Sequence, residues 1–256
     1  MNIPELMNDW YTMYLLRESE DPEMFYYQPS CSFNEMDPVS AKALIQYARS
    51  KNMKVRACCK FDKNILTDED TAIYFCQACR EYMETQGYHT KSFWEILDED
   101  SELTLPDYSG MKFVIQDCWR DREHPEIHQA VRSLLNKMHI EFTELPHNKE
   151  HSDFCGTLHF ETERYRHMIP SPDHLTHYGD EMAKKLMEEK VSQLNGMPVI
   201  TCCARCYKGY ILGGGHPVHL MTLLTDNYTG REKELEERTI RIMSRPDPRY
   251  NLRLKQ

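Results

Sequence analysis

What the sequence lacks narrows its function first. No cluster of five or more lysines and arginines occurs, and Asp and Glu outnumber Lys and Arg by 41 to 31, for a net charge of −10. A nucleic-acid or anionic-membrane surface needs the opposite balance, so neither is expected as a partner. No run of about 18 apolar residues is present that could cross a bilayer as a helix, and Met1 to Leu6 carry neither a basic leader nor an apolar run. The expectation is a cytoplasmic protein with no transmembrane segment. No nucleotide fingerprint occurs either, since Gly213-Gly214-Gly215 lacks the P-loop Lys-Ser/Thr and reads as a turn. Among the twelve histidines there is no His-Glu-x-x-His, and the pairs His124/His128 and His174/His177 lack an accompanying carboxylate pattern. Structural or surface roles are expected for these.

What is present in excess is cysteine, ten in 256 residues. In a reducing compartment such usage points to metal ligands or redox-active thiols rather than cross-links. The cysteines divide into two sets of five: Cys31, Cys58, Cys59, Cys76 and Cys79, then Cys118, Cys155, Cys202, Cys203 and Cys206. Each set ends in a Cys-x-x-Cys, Cys76/Cys79 and Cys203/Cys206, offset by 127 residues. Cys202 is a spare, because Cys203 already gives the two-residue gap. The flanks keep the offset: short apolar helices are expected at Phe93–Leu97 and Leu220–Leu224, each four residues after a histidine, His89 and His216. These two histidines are the ones worth testing.

Upstream, each set opens with an apolar strand-like run, Phe25 to Cys31 and Phe113 to Cys118. Helical periodicity follows through Ala41, Leu44, Ile45 and Ala48, and through Ile127, Val131, Leu134 and Leu135. Both helices end in similar text, Lys51-Asn52-Met53 and Asn136-Lys137-Met138, before strands at 54–56 and 140–142. Strand, helix, strand in each half implies parallel sheets with helical crossovers. The expected fold is α/β, with two tandem duplicated domains related by a pseudo-twofold and their cysteine sites near the interface. The expected boundaries are a helical extension over 1–24, domains over 25–105 and 106–228, and a charged tail over 229–256 whose opposite charges form solvated helical pairs. Acidic Asp98–Glu102 and turn-rich Pro106–Gly110 read as the linker, and 180–194 as a helix with Met182, Leu186 and Val191 inward.

A Cys-x-x-Cys brings two sulfurs into one coordination sphere, which zinc and iron–sulfur sites both exploit, although a redox-active dithiol uses the same spacing. Arg120 and Arg122, just after Cys118, would lower the pKa of nearby thiols or pair an anionic substrate, against a plain surface role.

The order Cys, Cys-Cys, Cys-x-x-Cys, given twice, resembles the cysteine-rich CCG domain family, best known from heterodisulfide reductase. The resemblance runs from about Phe25 to Leu224 and departs at Lys60, where glycine is usual, at the short gap between Cys59 and Cys76, and at Phe154, where a cysteine is usual. It implies an iron–sulfur cluster, of a noncubane 4Fe–4S kind, on Cys31, Cys58, Cys59, Cys76 and Cys79. It implies zinc or a second iron–sulfur cluster on Cys118, Cys155, Cys203 and Cys206. The activity it implies is that of an oxidoreductase component that reduces a small disulfide or relays electrons, supplied by an iron–sulfur or flavoprotein donor subunit. The alternative is a non-catalytic zinc-binding structural or regulatory protein on the same fold.

Overall fold

The computed structural model describes residues 24–56, 70–152 and 180–244. The extension expected over 1–24 lies almost wholly outside them, as do Cys58, Cys59, Lys60, Phe154, Cys155, His174, His177 and the tail beyond residue 244. The described residues form an α/β structure with two four-stranded, all-parallel sheets.

The first sheet contains β1 (Phe25–Gln28), β2 (Lys54–Val55), β3 (Thr71–Tyr74) and β4 (His89–Ser92), in the order β2-β1-β3-β4. Helices α1 (Cys31–Met36) and α2 (Pro38–Ser50) connect β1 to β2, α3 (Gln77–Glu84) connects β3 to β4, and α4 (Phe93–Glu99) closes the half. The second sheet contains β5 (Lys112–Gln116), β6 (Glu141–Glu144), β7 (Val199–Thr201) and β8 (Pro217–His219), in the matching order β6-β5-β7-β8. Its helices are α5 (Pro125–Lys137), α6 (Asp180–Ser192), α7 (Ala204–Leu212) and α8 (Leu220–Leu224), and α9 (Glu232–Met243) follows. Helix α2 buries Ala41, Leu44 and Ala48, and α5 buries Ile127, Val131, Leu134 and Leu135, the stripes that their periodicity requires.

The registers of the two sheets correspond. Gln28 pairs with Tyr74 and Gln116 with Thr201, while Tyr74 pairs with Ser92 and Thr201 with His219. Tyr74 and Thr201 lie 127 residues apart, as do Ser92 and His219, and each of the latter pair caps the helix that follows, Ser92 through Oγ and His219 through Nδ1. Counting on from Gln28 and Gln116, Cys118 falls opposite Ser30, and Cys31 falls opposite Trp119. Cys31 and Cys118, alike in sequence order, therefore differ by one position in space.

In both sheets the chain runs outward from one central strand to an edge and returns to the other side, so the order reverses between β1 and β3 and between β5 and β7. Crevices at the carboxyl ends of strands flanking such a reversal are where open parallel sheets bind ligands. Cys31 and Cys76 follow β1 and β3, and Cys118 and Cys203 follow β5 and β7.

One apolar core runs through both halves, from Tyr27, Phe33, Ile73 and Phe93 to Phe113, Leu134, Ile200 and Leu220. A smaller cluster of Val114, Leu145, Met187, Leu194, Val199 and Tyr210 lies under α6. Helix α6 turns Met187 fully inward and leaves Leu186 and Val191 half-buried, a rotation from the expected face. Gly213 ends α7 where an added Cβ would stand 2.5 Å from the Met187 carbonyl oxygen, so the triple glycine serves close helix packing and a turn.

The halves are also joined by polar contacts. Fully buried Asp37 caps α2 by accepting from the Ser40 backbone N–H (3.3 Å), and it accepts from the Ser40 hydroxyl (2.6 Å), the Thr222 hydroxyl (2.9 Å) and Arg231 (3.3 Å). Helix α9 makes its i,i+4 pair Lys233–Glu237 toward solvent and buries Leu235 and Thr239, and Arg238 donates to the Glu35 carbonyl. Asp37→Ala removes the cap, leaves the Thr222 hydroxyl without its acceptor and takes the buried one of the two carboxylates that Arg231 pairs with, so a loss of about 2–4 kcal/mol is expected from urea denaturation. Exposed Glu234→Ala should cost less than about 0.5 kcal/mol in the same measurement.

Candidate metal centre

Each Cys-x-x-Cys begins where a buried strand gives way to a helix. Cys76 and Cys203 occupy the N-cap positions of α3 and α7 with extended backbone (φ −121° and −131°). Both thiols therefore stand at helix N-termini, whose backbone N–H groups favour negative charge. Cys118 holds the N-cap of a short 3-10 turn, Trp119–Asp121, at the end of neighbouring β5. Because β5 and β7 pair in register, Cys118 and Cys203 leave the sheet side by side.

The result is a buried trio: the sulfurs of Cys118, Cys203 and Cys206 all lie within 4.8 Å of one another. Four sulfurs at about 2.3 Å around a tetrahedral ion stand about 3.8 Å apart, so this spread suits one shared ion after a small contraction. The trio can therefore hold a metal ion, with Cys155 the available fourth sulfur in the sequence. Hydrogen bonds from Cys118 and Cys206, together with the backbone N–H groups of Cys206 and Arg205, hold the Cys203 thiol well below its usual pKa against the opposing effect of burial. Cys118 is pushed up by its bond to Cys203 and by burial. The same groups that lower the Cys203 thiol favour its charged form, the form a metal ion binds. Cys202 is buried, its thiol raised by desolvation, and it stands outside the trio.

In the first half, Cys76 and Cys79 hydrogen-bond through their side chains. That bond lowers the Cys76 thiol to about 7; burial and the charge of Cys203 oppose it, and Arg205 assists. The charge of Cys203 acts on the Cys76 thiol across the seam between the halves. Cys31 is exposed in the first turn of α1, and Cys58 and Cys59 lie outside the described residues.

Two buried arginines cross that seam in opposite directions. Arg80 of the first half donates to the Asp121 carboxylate (2.8 Å) and to the Arg120 carbonyl (2.5 Å), and its guanidinium lies 5.8 Å from the Tyr74 ring centre. Arg120 of the second half donates to Glu81 and stacks 4.7 Å over Trp119. Burial raises the Asp121 carboxyl to about 7 despite Arg80, with the charge of Cys203 adding to the rise. Arg120 is the cation near Cys118 and Cys203, whereas Arg122 turns away to the Ser152 carbonyl.

His89 and His216 are both exposed; His216 pairs with Glu236 (3.0 Å). The histidine beside the site is His219, one residue before α8 and fully buried. Its Nε2 has no hydrogen-bond partner among the described residues, a condition that ordinarily costs roughly 1–3 kcal/mol. The repeat offset was the signal for it, since it maps His219 onto the helix cap Ser92. Arg80 was legible only as the residue after Cys79.

The chain matches no protein-family model, and no curated protein matches it. No helix among the described residues is long and apolar enough to cross a membrane.

Because three sulfurs must converge for one ion, Cys203→Ser or Cys206→Ser should strip the second-half metal, measured by elemental analysis of the purified chain. Cys202→Ser should retain it at the wild-type stoichiometry, and loss equal to that of Cys206→Ser would place Cys202 among the ligands.

Proposed function

We propose that the chain is an iron–sulfur, or mixed iron–sulfur and zinc, oxidoreductase subunit of the CCG-domain kind, which reduces a disulfide or relays electrons. The observation that carries this reading is the buried sulfur trio of Cys118, Cys203 and Cys206, with the charge of Cys203 felt by Cys76 of the first Cys-x-x-Cys. A structural zinc site alone explains the trio. It does not explain why Cys76, half-exposed and held near neutral pKa by Cys79, stands beside it.

On this reading Cys118, Cys203 and Cys206, with Cys155, hold zinc or an iron–sulfur cluster, and Cys31, Cys58, Cys59, Cys76 and Cys79 hold a cluster. A bound cluster supplies one-electron transfer between a donor and a disulfide. The chain's own contribution is electrostatic and spatial. Helix N-termini and the seam arginines stabilise thiolate charge, Arg120 among them, and the buried strands keep the sulfurs fixed. With no nucleotide fingerprint in the sequence, electrons come from a partner subunit.

One observation favours a second reading, a non-catalytic zinc-stabilised regulatory protein: Cys206 is fully buried and Cys118 nearly so, which closes the coordination sphere as structural zinc sites do. Metal and acid-labile sulfide analysis with a visible spectrum, on protein purified without oxygen, separates the two. Several irons with matching sulfide are expected. Zinc alone, in colourless protein, would select the regulatory reading. In either case chelation should lower the urea midpoint, because the bound ion stabilises the folded chain alone.

A further inference from the structure

The His219 imidazole does more than cap a helix. Its Nδ1 accepts the Met221 backbone N–H (3.2 Å), so the neutral ring carries its proton on Nε2. The ring is packed against three aromatic side chains of the first half, Phe33, Phe75 and Trp94, at centroid distances of 4.4, 5.5 and 6.3 Å. That packing denies Nε2–H access to water, and burial keeps the ring neutral by lowering its pKa to about 4.

A second orphan donor stands next to it. Thr201 is the in-register partner of His219 across the parallel pair β7–β8, so the two side chains share one face of the sheet. The Thr201 hydroxyl is also buried without a hydrogen-bond partner. Two residues further on, the chain reaches Cys203. Two anionic groups act on the ring, Cys203 and Asp37, and the oxygens of Asp37 are already taken by Ser40, Thr222 and Arg231. Among the described residues neither donor makes a hydrogen bond to a sulfur, and the Cys203 sulfur accepts from Cys118 and Cys206; metal binding, which takes the thiol protons of Cys118 and Cys206, would leave that sulfur open to other donors. In the first half the equivalent of His219 is Ser92, whose single oxygen serves the cap of α4.

We propose that His219 Nε2–H and the Thr201 hydroxyl are outer donors to the metal–thiolate group held by Cys203, with His219 a positioning residue that sets the electron richness of its sulfurs. The inference rests on the metal reading of this site. A donor hydrogen bond withdraws charge from a thiolate, so its removal leaves a more electron-rich sulfur and a lower-energy charge transfer from sulfur to metal.

The test uses cobalt(II) added to the metal-free full chain, read by the thiolate-to-cobalt band in the visible and near-ultraviolet spectrum and by competition with a chelator. His219→Asn keeps an acceptor for the Met221 N–H and removes Nε2–H, and Thr201→Val removes the hydroxyl at nearly constant shape. Both variants are expected to bind cobalt at the wild-type stoichiometry with the band moved to longer wavelength, and His219→Asn to bind it about tenfold or more weakly. His219→Gln, whose amide can occupy the Nε2 position, should move the band back toward wild type. Cobalt-loaded His219→Asn and Thr201→Val with unchanged band and affinity would overturn the proposal and leave the metal reading standing. Should His219→Asn fail to fold, Thr201→Val decides on the same readout. A wild-type chain that binds no cobalt overturns both.

Discussion

The structure depends on a seam at which two parallel sheets present the carboxyl ends of their strands to one another. Elements arriving there bring helix N-termini, and helix N-termini demand anionic or accepting partners. Each half contributes two cysteines at such ends and one buried arginine that reaches across, Arg80 to Asp121 and Arg120 to Glu81. Neither arginine could be buried without its partner from the opposite half, because an unpaired buried charge costs several kcal/mol. The halves therefore hold each other in place through the same groups that surround the sulfurs.

From that constraint the asymmetry of the site follows. Cys118, Cys203 and Cys206 are gathered because β5 and β7 are neighbours, and the hydrogen bonds that Cys203 accepts lower its thiol against the effect of burial. Cys76 and Cys79 sit at the matching place in the first half, but Cys76 is half-exposed and Cys79 is the buried member. One repeat is thus built to enclose its sulfurs and the other to leave one within reach of solvent. The aromatic side chains Phe33, Phe75 and Trp94, which the first half supplies, close over His219 of the second.

The parallel sheets and their helices were legible in the sequence because burial on both faces leaves continuous apolar strands and a 3.6-residue stripe on the covering helices, as in α2 and α5. The sulfur trio was legible in part: Cys118, Cys203 and Cys206 were expected together on cysteine order, and Cys202 was set aside as it stands in space. Periodicity failed where faces are shared. Helix α6 packs Val191 against the core cluster as expected but also buries Met187, because it packs on Gly213 and Gly215 of its neighbour, a fact no local pattern encodes. His89 and His216, singled out by their place before matching helices, are exposed, and the buried ring is His219, because the strand register turns one ring to solvent and the other inward.

By itself the sequence determined the repeated strand–helix–strand order, the 127-residue offset and the presence of enough cysteine for metal or redox chemistry, since these follow from local periodicity and composition. The tertiary structure alone decided how closely the sulfurs meet, which arginines are buried across the seam and which histidine is buried. Those outcomes depend on the in-register pairing of β5 with β7 and of β7 with β8, and on the closing of one half over the other.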